Sequence, residues 1–257
     1  MNWGKFLLFI VIGFAAQIID GTLGMAYGVS CRTFLKTVAG LPSALASAVV
    51  HVAEVPTTLA SGLSHIKLKN VDKSLFFHLA IPGVIGGVAG AWFLSSAGDA
   101  LEPFIDAYLI IMGVVILRKA FLKSQKERHI GKGIYPLGLA GGFLDATGGG
   151  GWGPVVTSTM LAVGHDVKKT IGTVNTAEFL VTLAETTTFV VLIRDFTSYW
   201  QTILGLIIGG GQLPSRRGSA RRSPSARCSP SSASSSSCSI FTVSFTIWLY
   251  FKKAVSP

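Results

Sequence analysis

Residues 144–153 read Leu-Asp-Ala-Thr-Gly-Gly-Gly-Gly-Trp-Gly, and they echo residues 19–28, Ile-Asp-Gly-Thr-Leu-Gly-Met-Ala-Tyr-Gly, about 125 positions earlier. After a slip of one residue the correspondence continues through four further pairs: Gly40 and Gly164, His51 and Asn175, Glu54 and Glu178, and Thr58 and Thr182. In both copies an acid ends an apolar run, and glycines separate it from the next run. This pattern predicts two homologous halves, each with a helix broken by glycine.

The composition indicates a membrane protein. Of the 257 residues 49% are hydrophobic and 13% are charged, whereas soluble domains usually carry about 25% charged residues. The formal charge of +10 suggests a nucleic-acid partner, but residues 1–210 hold 15 basic and 12 acidic residues, and the other seven basic residues follow Gly210. We therefore predict an all-α protein in a lipid bilayer, with no nucleic-acid partner.

The apolar runs indicate how many helices cross the bilayer, since a crossing needs about 20 residues, or fewer when the helix is broken and buried in protein. We place these runs at residues 3–19, 43–63, 74–96, 105–117, 135–163, 170–193 and 199–211. Segments 25–39 and 152–163 are too short to cross alone and predict half-helices. The expected fold is a polytopic bundle of about seven or eight transmembrane segments.

Basic residues divide and orient the chain. Residues 118–134 contain six lysines and arginines and separate a first repeat, residues 1–117, from a second, residues 135–210. A further basic loop occupies residues 64–73. Because basic loops remain on the cytoplasmic side, we expect both loops in the cytoplasm and the chain in the cell inner membrane as a multi-pass protein.

Residues 211–239 break the apolar pattern with twelve serines and five arginines. They fit two interpretations: a disordered Arg/Ser tail, or a membrane helix translated out of frame. A frameshift would produce serines because codons of the form NTC, which encode Phe, Leu, Ile or Val, give serine when read one base later. We favour the frameshift, since residues 240–257 open with an apolar segment again. Another reading frame of the gene should then encode an apolar helix.

The glycine clusters are the first candidate site. Glycines that break a helix inside the membrane leave backbone N–H groups unpaired at the start of the next half-helix, and such groups bind anions. The alternative is close packing of helices, for which membrane proteins also use glycine. The repeated acid favours the anion site. The candidate substrate-binding residues are those of the two breaks and two threonines on the following helices: Gly21, Gly24, Gly28, Gly148, Gly149, Gly150, Gly151, Trp152, Thr58 and Thr182.

The acids and the histidine within the apolar runs are the second candidate. The aspartate before each break could cap the next half-helix or carry a proton. The His-x-x-Glu of the first half and the Asn-x-x-Glu of the second each share one helix face, and they fit an interhelical clamp, a substrate or proton pathway, or a metal site. No metal is expected, because the second copy has Asn in place of His. The candidates for proton coupling or gating are Asp20, Asp145, His51, Glu54, Asn175 and Glu178.

Signatures of catalysis are missing from the sequence. It has no GxxxxGK[ST] phosphate loop, no HExxH and no GxSxG, which are common marks of nucleotide-, zinc- and serine-dependent enzymes. We therefore expect neither an enzyme nor a cofactor.

The paired motifs support a resemblance to a known family. They are Gly13-Phe14 followed by Asp20-Gly21-x-x-Gly24, and Gly142-Phe143-x-Asp145-x-x-Gly148-Gly149-Gly150-Gly151-Trp152-Gly153-Pro154. With the helical His/Asn-x-x-Glu pairs, and over about residues 3–210, the chain resembles the sulfite exporter TauE/SafE family of membrane permeases.

The resemblance implies a secondary transporter with two homologous halves. It implies a small sulfur-containing anion such as sulfite, thiosulfate or a sulfonate as substrate, and movement coupled to protons. Two alternatives stay open: a membrane-embedded enzyme or assembly subunit, and a non-functional remnant of a frameshifted gene.

Overall fold

The computed structural model describes residues 3–23, 26–119, 131–193 and 196–211, and every regular element within these ranges is helical. The prediction of an all-α fold is confirmed. The first half consists of α1 (Trp3–Leu23), α2 (Tyr27–Thr37), α3 (Ser43–Lys67), α4 (Lys73–Ala97) and α5 (Glu102–Lys119). The second half consists of α6 (Ile134–Gly148), a π-helical turn (Gly153–Thr157) that continues into α7 (Ser158–Ala162), α8 (Val167–Leu192) and α9 (Trp200–Gly211).

Several sequence predictions fall outside these ranges. The suspected frameshift at residues 211–239 lies, from residue 212 onward, outside the described residues, and so does the apolar segment at residues 240–257. Most of the basic linker, residues 120–130, and Gly24 lie outside them as well.

Among the residues that the structure describes, three helices are long and apolar enough to cross a membrane: Trp3–Asp20 within α1, Ser43–Lys67 and Lys73–Ala97. The number of seven or eight crossings stays a prediction. The outer surface fits lipid, because α1 exposes an apolar stripe with one residue per turn. This stripe contains Trp3, Leu7, Val11, Phe14 and Ile18, each between 42% and 69% exposed.

The helix ends near the glycine run have local causes. Helix α6 stops because Gly149 adopts a left-handed backbone conformation with φ of +68°, which glycine tolerates best. The Gly149 N–H donates to Asp145 O at 2.8 Å and closes the helix end. Helix α8 begins where Asp166 accepts a hydrogen bond from Lys169 N at 2.8 Å, a side-chain cap that satisfies an unpaired N–H.

The helix pairs follow a two-fold pattern. Helix α4 packs against α6, α1 packs against α9, and α3 packs against α8. In the repeat, α1 corresponds to α6, α3 to α8 and α4 to α9. Exchanging the two halves therefore turns the pair α4–α6 into the pair α9–α1 and leaves the pair α3–α8 unchanged. This is the arrangement that a duplicated chain with a two-fold relation between its halves would produce.

Glycines allow both peripheral pairs to approach backbone to backbone. A methyl group at Gly142 of α6 would collide with the carbonyl oxygen of Gly83 on α4 and lie 2.9 Å from Gly87 N. A methyl group at Gly209 of α9 would collide with Ile10 O of α1. Small residues at such contacts are the usual basis of helix association in membranes.

We expect Gly142→Ala to destabilise the protein by roughly 1–3 kcal/mol, because the added methyl group meets backbone that cannot rotate away. Thermal unfolding of the full chain in detergent measures this. The control is Gly113→Ala on α5, where nothing lies within 4 Å of the new methyl group and alanine has the higher helix propensity. Equal melting temperatures for the two variants would contradict the expectation.

Candidate functional site

The two repeated aspartates make equivalent hydrogen bonds across the helix breaks. Asp20 Oδ1, near the end of α1, accepts from Ala26 N at 2.9 Å and Tyr27 N at 3.3 Å, where α2 begins. Asp145 Oδ1, in the last turn of α6, accepts from Trp152 N at 2.8 Å, directly before the π-helical turn. Carboxylates are favoured at helix starts by the unpaired N–H groups and the helix dipole. These side chains therefore use N–H groups that would otherwise be open to an external anion.

The starts of the two half-helices meet at their glycines. A methyl group on Gly28 would lie 2.5 Å from Gly149 O, 2.8 Å from Gly150 Cα and 2.8 Å from Glu54 Oε1. Gly150 has φ of +144°, a conformation that side chains rarely adopt. Glycine at these positions brings the first break against the second and places Glu54 of α3 beside both.

A buried histidine lies next to this junction. The His51 side chain is 0% exposed and stacks on Phe189 with ring centroids 5.9 Å apart. Its Nε2 lies 3.3 Å from Asp145 O, and since a carbonyl oxygen can only accept, we assign the proton to Nε2. The Nδ1 lone pair then faces two carboxylates, with Glu185 Oε2 at 3.2 Å and Glu54 Oε2 at 3.6 Å.

With the ring proton on Nε2 and the carboxyl group ionised, no hydrogen atom lies between His51 Nδ1 and Glu185 Oε2. His51 Nδ1 has no other hydrogen-bond partner in the described part of the chain, and the Glu185 carboxyl group also lies beside the carboxyl group of Asp145. Two lone-pair atoms at 3.2 Å attract each other only when a proton or a cation lies between them. A proton or a cation shared by His51 and Glu185 would therefore stabilise the pair.

The same cluster offers donors of the kind that bind metals. One atom from each of His51, Asp145 and Glu185 lies within 4.8 Å of the other two. A histidine whose second ring nitrogen donates to a backbone carbonyl is typical of metal sites as well as of proton-sharing pairs. The absence of a metal stays a prediction.

The other half contains a counterpart of this pair without titratable groups. Asn175 Nδ2 of α8 donates to Ser61 Oγ of α3 at 3.4 Å. Asn175 corresponds to His51 in the repeat, and Ser61 corresponds to Glu185 at the same spacing. The two-fold pattern of the helices therefore extends to the polar pairs between α3 and α8.

The remaining predicted residues have other surroundings. Thr58 donates to Glu54 O of its own helix at 2.9 Å, and Thr182 is 0% exposed. Trp152 is also 0% exposed and donates from Nε1 to Val174 O at 3.1 Å, within an apolar cluster. Glu178 is half-buried, within electrostatic reach of Glu54, while Gly21 lies in the last turn of α1.

Three residues near the junction are absent from the sequence predictions. Glu185 is fully buried against His51. Arg32 of α2 is 0% exposed and lies against Gly149, and the ring of Tyr108 from α5 lies against Gly148. Arg32 could have been found from its position, because a basic residue inside a predicted half-helix is as unusual as an acid there.

Comparisons with known proteins identify relatives of this chain. Residues 9–219 match the sulfite exporter TauE/SafE family. The chain is 43% identical over 214 residues to a protein of Bacillus subtilis (strain 168) named "Probable membrane transporter protein YtnM", with 80% of this chain and 71% of that protein covered. No solved structure matches the chain. The family and this relative point to transport and not to an enzyme. The chain therefore belongs to the sulfite exporter TauE/SafE family and is a membrane transporter.

Proposed function

We propose that the protein is a secondary transporter that moves a small sulfur-containing anion, such as sulfite, thiosulfate or a sulfonate, together with protons. The description of the family supports the class of substrate. The observation that supports proton coupling is the fully buried contact between His51 Nδ1 and Glu185 Oε2, which lie 3.2 Å apart and need a proton between them to attract each other once the other ring proton is assigned to Nε2. Ionisable groups at membrane depth are costly and usually functional.

The pair is connected to the helix breaks through Asp145. The backbone oxygen of Asp145 accepts from His51 Nε2, while its side chain accepts from Trp152 N at the start of the second half-helix. A change of charge on His51 would therefore act on both ends of the break that contains Gly149 and Gly150. In this mechanism the anion binds where the two breaks meet, and the shared proton controls whether that junction is closed.

The charge pattern supports an orientation for this transporter. We place it in the cell inner membrane as a multi-pass protein, with the basic loops 64–73 and 118–134 in the cytoplasm, because basic loops are retained on that side. Besides the anion and the protons, the proposed transporter interacts with the lipids of the bilayer.

A second function has one observation in its favour. His51, Asp145 and Glu185 could hold a metal ion, and a membrane-embedded enzyme or assembly subunit would use such a centre. Elemental analysis of the purified protein separates the two proposals, since stoichiometric metal that survives washing would favour the second.

The proposed coupling predicts that Asp145→Asn lowers proton-driven sulfite uptake into proteoliposomes at least about 10-fold. Asparagine can still accept from Trp152 N, and it caps helices about as well as aspartate, so the fold should persist. What disappears is the negative charge beside His51 and Glu185. The uptake rate is measured with and without an imposed pH gradient.

The matched control is Asp166→Asn, which changes the same kind of cap at the exposed start of α8. It should leave uptake within about two-fold of the unaltered protein, because exposed charges contribute little. Uptake by the Asp145 variant that is unchanged and still responds to pH would refute the coupling role.

A further inference from the structure

Arg32 is a buried arginine without a hydrogen-bond partner in the part of the chain that the structure describes. Its side chain is 0% exposed, and none of its three guanidinium nitrogens donates a hydrogen bond to any described residue. Arginine stays protonated in proteins. A buried charge without hydrogen-bonded partners is among the most destabilising features that a fold can contain, so an anion that accepts hydrogen bonds from this guanidinium would stabilise the protein.

Two acids of α5 that partly compensate the charge of Arg32 are already engaged with another cation. Glu102 and Asp106 of α5 lie within electrostatic reach of Arg32. However, Lys36 Nζ, one turn further along α2, lies 3.4 Å from Glu102 Oε1 and 3.1 Å from Asp106 Oδ1. Ser43 Oγ also donates to Glu102 at 2.9 Å. The lysine takes the carboxylates, and the arginine has none in hydrogen-bonding contact.

Arg32 lies against the glycine run of the other half. A methyl group on Gly149 would collide with Arg32 Cδ and lie 2.9 Å from its Cβ. The absence of a side chain at Gly149 therefore creates the room that the arginine stem occupies. This contact brings the arginine stem from α2 against the second helix break, and the charge at the end of that stem lies within electrostatic reach of His51.

A second donor reaches the same run from α5. A methyl group on Gly151 would lie 2.5 Å from the Tyr108 hydroxyl oxygen, and one on Gly148 would lie 2.7 Å from Tyr108 Cε1. The hydroxyl is buried and lacks a hydrogen-bond partner among the described residues. Two side chains whose buried donors have no partner among the described residues thus border residues 148–151: Arg32 of α2 through its stem, and Tyr108 of α5 through its ring and hydroxyl.

We propose that the Arg32 guanidinium and the Tyr108 hydroxyl bind the transported oxyanion against the glycine run 148–151. This assignment rests on the proposed function and specifies its substrate site. The half-helix starts are less suited to this task, because Asp20 and Asp145 already accept from their N–H groups. A planar guanidinium matches two oxygens of one anion, so the site should prefer sulfite, thiosulfate or a sulfonate to chloride.

The test measures sulfite binding to the full chain in detergent by thermal unfolding, since a ligand of the folded state raises the melting temperature with concentration. Arg32→Gln should weaken sulfite binding at least about 100-fold. Its melting temperature without sulfite should stay equal or rise, because an unpaired buried charge has been removed. An arginine with a purely structural role would show the opposite, a lower melting temperature without ligand.

Three further variants sharpen the test. Arg32→Lys should recover part of the affinity, because it keeps the charge without the planar fork. Tyr108→Phe, which removes one hydroxyl, should weaken binding roughly 10-fold. Lys168→Gln on the exposed start of α8 is the control and should leave binding unchanged.

The outcomes separate this inference from the proposed function. If the unaltered protein binds sulfite and Arg32→Gln binds it equally well, the inference is wrong and the proposed function stands. If no anion of the series sulfite, thiosulfate, sulfate, taurine and chloride binds or is transported, the proposed function fails, and the inference fails with it. If Arg32→Gln does not fold, unchanged affinity in both Arg32→Lys and Tyr108→Phe overturns the inference. Stabilisation by phosphatidylglycerol in place of sulfite would assign the arginine to a lipid headgroup and also overturn it.

Discussion

A Glu185→Gln variant is expected to fold and to bind sulfite, yet to lose proton-driven uptake down to the level of protein-free vesicles. Glutamine has nearly the same size as glutamate, and its amide can donate to His51 Nδ1, which now faces a carboxylate oxygen at 3.2 Å. The substituted pair is therefore satisfied without a shared proton and has no means of carrying one. Uptake is measured in proteoliposomes under an imposed pH gradient, and binding by thermal unfolding.

The chemically matched control is Glu102→Gln on α5, whose carboxylate forms a partly exposed pair with Lys36. The amide oxygen of glutamine can still accept from Ser43 Oγ, and position 102 is outside the pair of His51 and Glu185, so this variant should keep at least about half of the uptake. Proton-driven uptake that persists in the Glu185 variant would show that coupling occurs elsewhere, and Glu54 and Glu178 would be the next candidates.

The largest effect on stability is expected for Gly150→Ala, with a loss of roughly 3 kcal/mol or more in the free energy of unfolding. The φ angle of +144° strains any residue with a side chain. In addition, the new methyl group would lie 2.7 Å from both Cα and C of Gly28 and collide with Val29 N. All three are backbone atoms, so no side chain can rotate to relieve the overpacking.

A matched control separates backbone strain from collision. Gly40 also has a positive φ, +67°, but a methyl group there would have nothing within 4 Å. Gly40→Ala should therefore cost only about 1 kcal/mol. Melting temperatures of the purified full chain give both values, and similar losses in the two variants would mean that the contact with Gly28 is not tight.

Much of the fold follows from apolar length and from the repeat. The predicted runs at residues 43–63 and 74–96 contain α3 and α4 almost entirely, because an apolar stretch of such length has few alternatives to a helix. The predicted half-helix at residues 25–39 contains α2 in the same way. The end of α6 at Gly148 follows from the glycine run, which permits the left-handed turn at Gly149.

The candidate site is harder to predict from the sequence, because the packing between helices decides which residues form it. Glu185 has Ser61 as its counterpart, so a search for repeated acids passes over it. When basic residues are counted to orient the chain, Arg32 is counted as a loop residue. Only the contact between α2 and the second glycine run shows that it is buried. The role of an aspartate as a cap or as a proton carrier also depends on which N–H groups it reaches in space.

The unequal pairs between α3 and α8 bear on the energetics of a transport cycle. Duplication would start from two identical pairs, but here His51 faces Glu185, while Asn175 faces Ser61. Within the described residues, the pair that can exchange a proton thus occurs on one side of the pseudo-two-fold axis and not on the other. If this pair is the site of the proposed coupling, it supplies one proton per turnover. Carried with a monovalent anion, that proton makes the cycle electrically silent, whereas with a divalent anion each turnover moves one net negative charge and responds to the membrane potential.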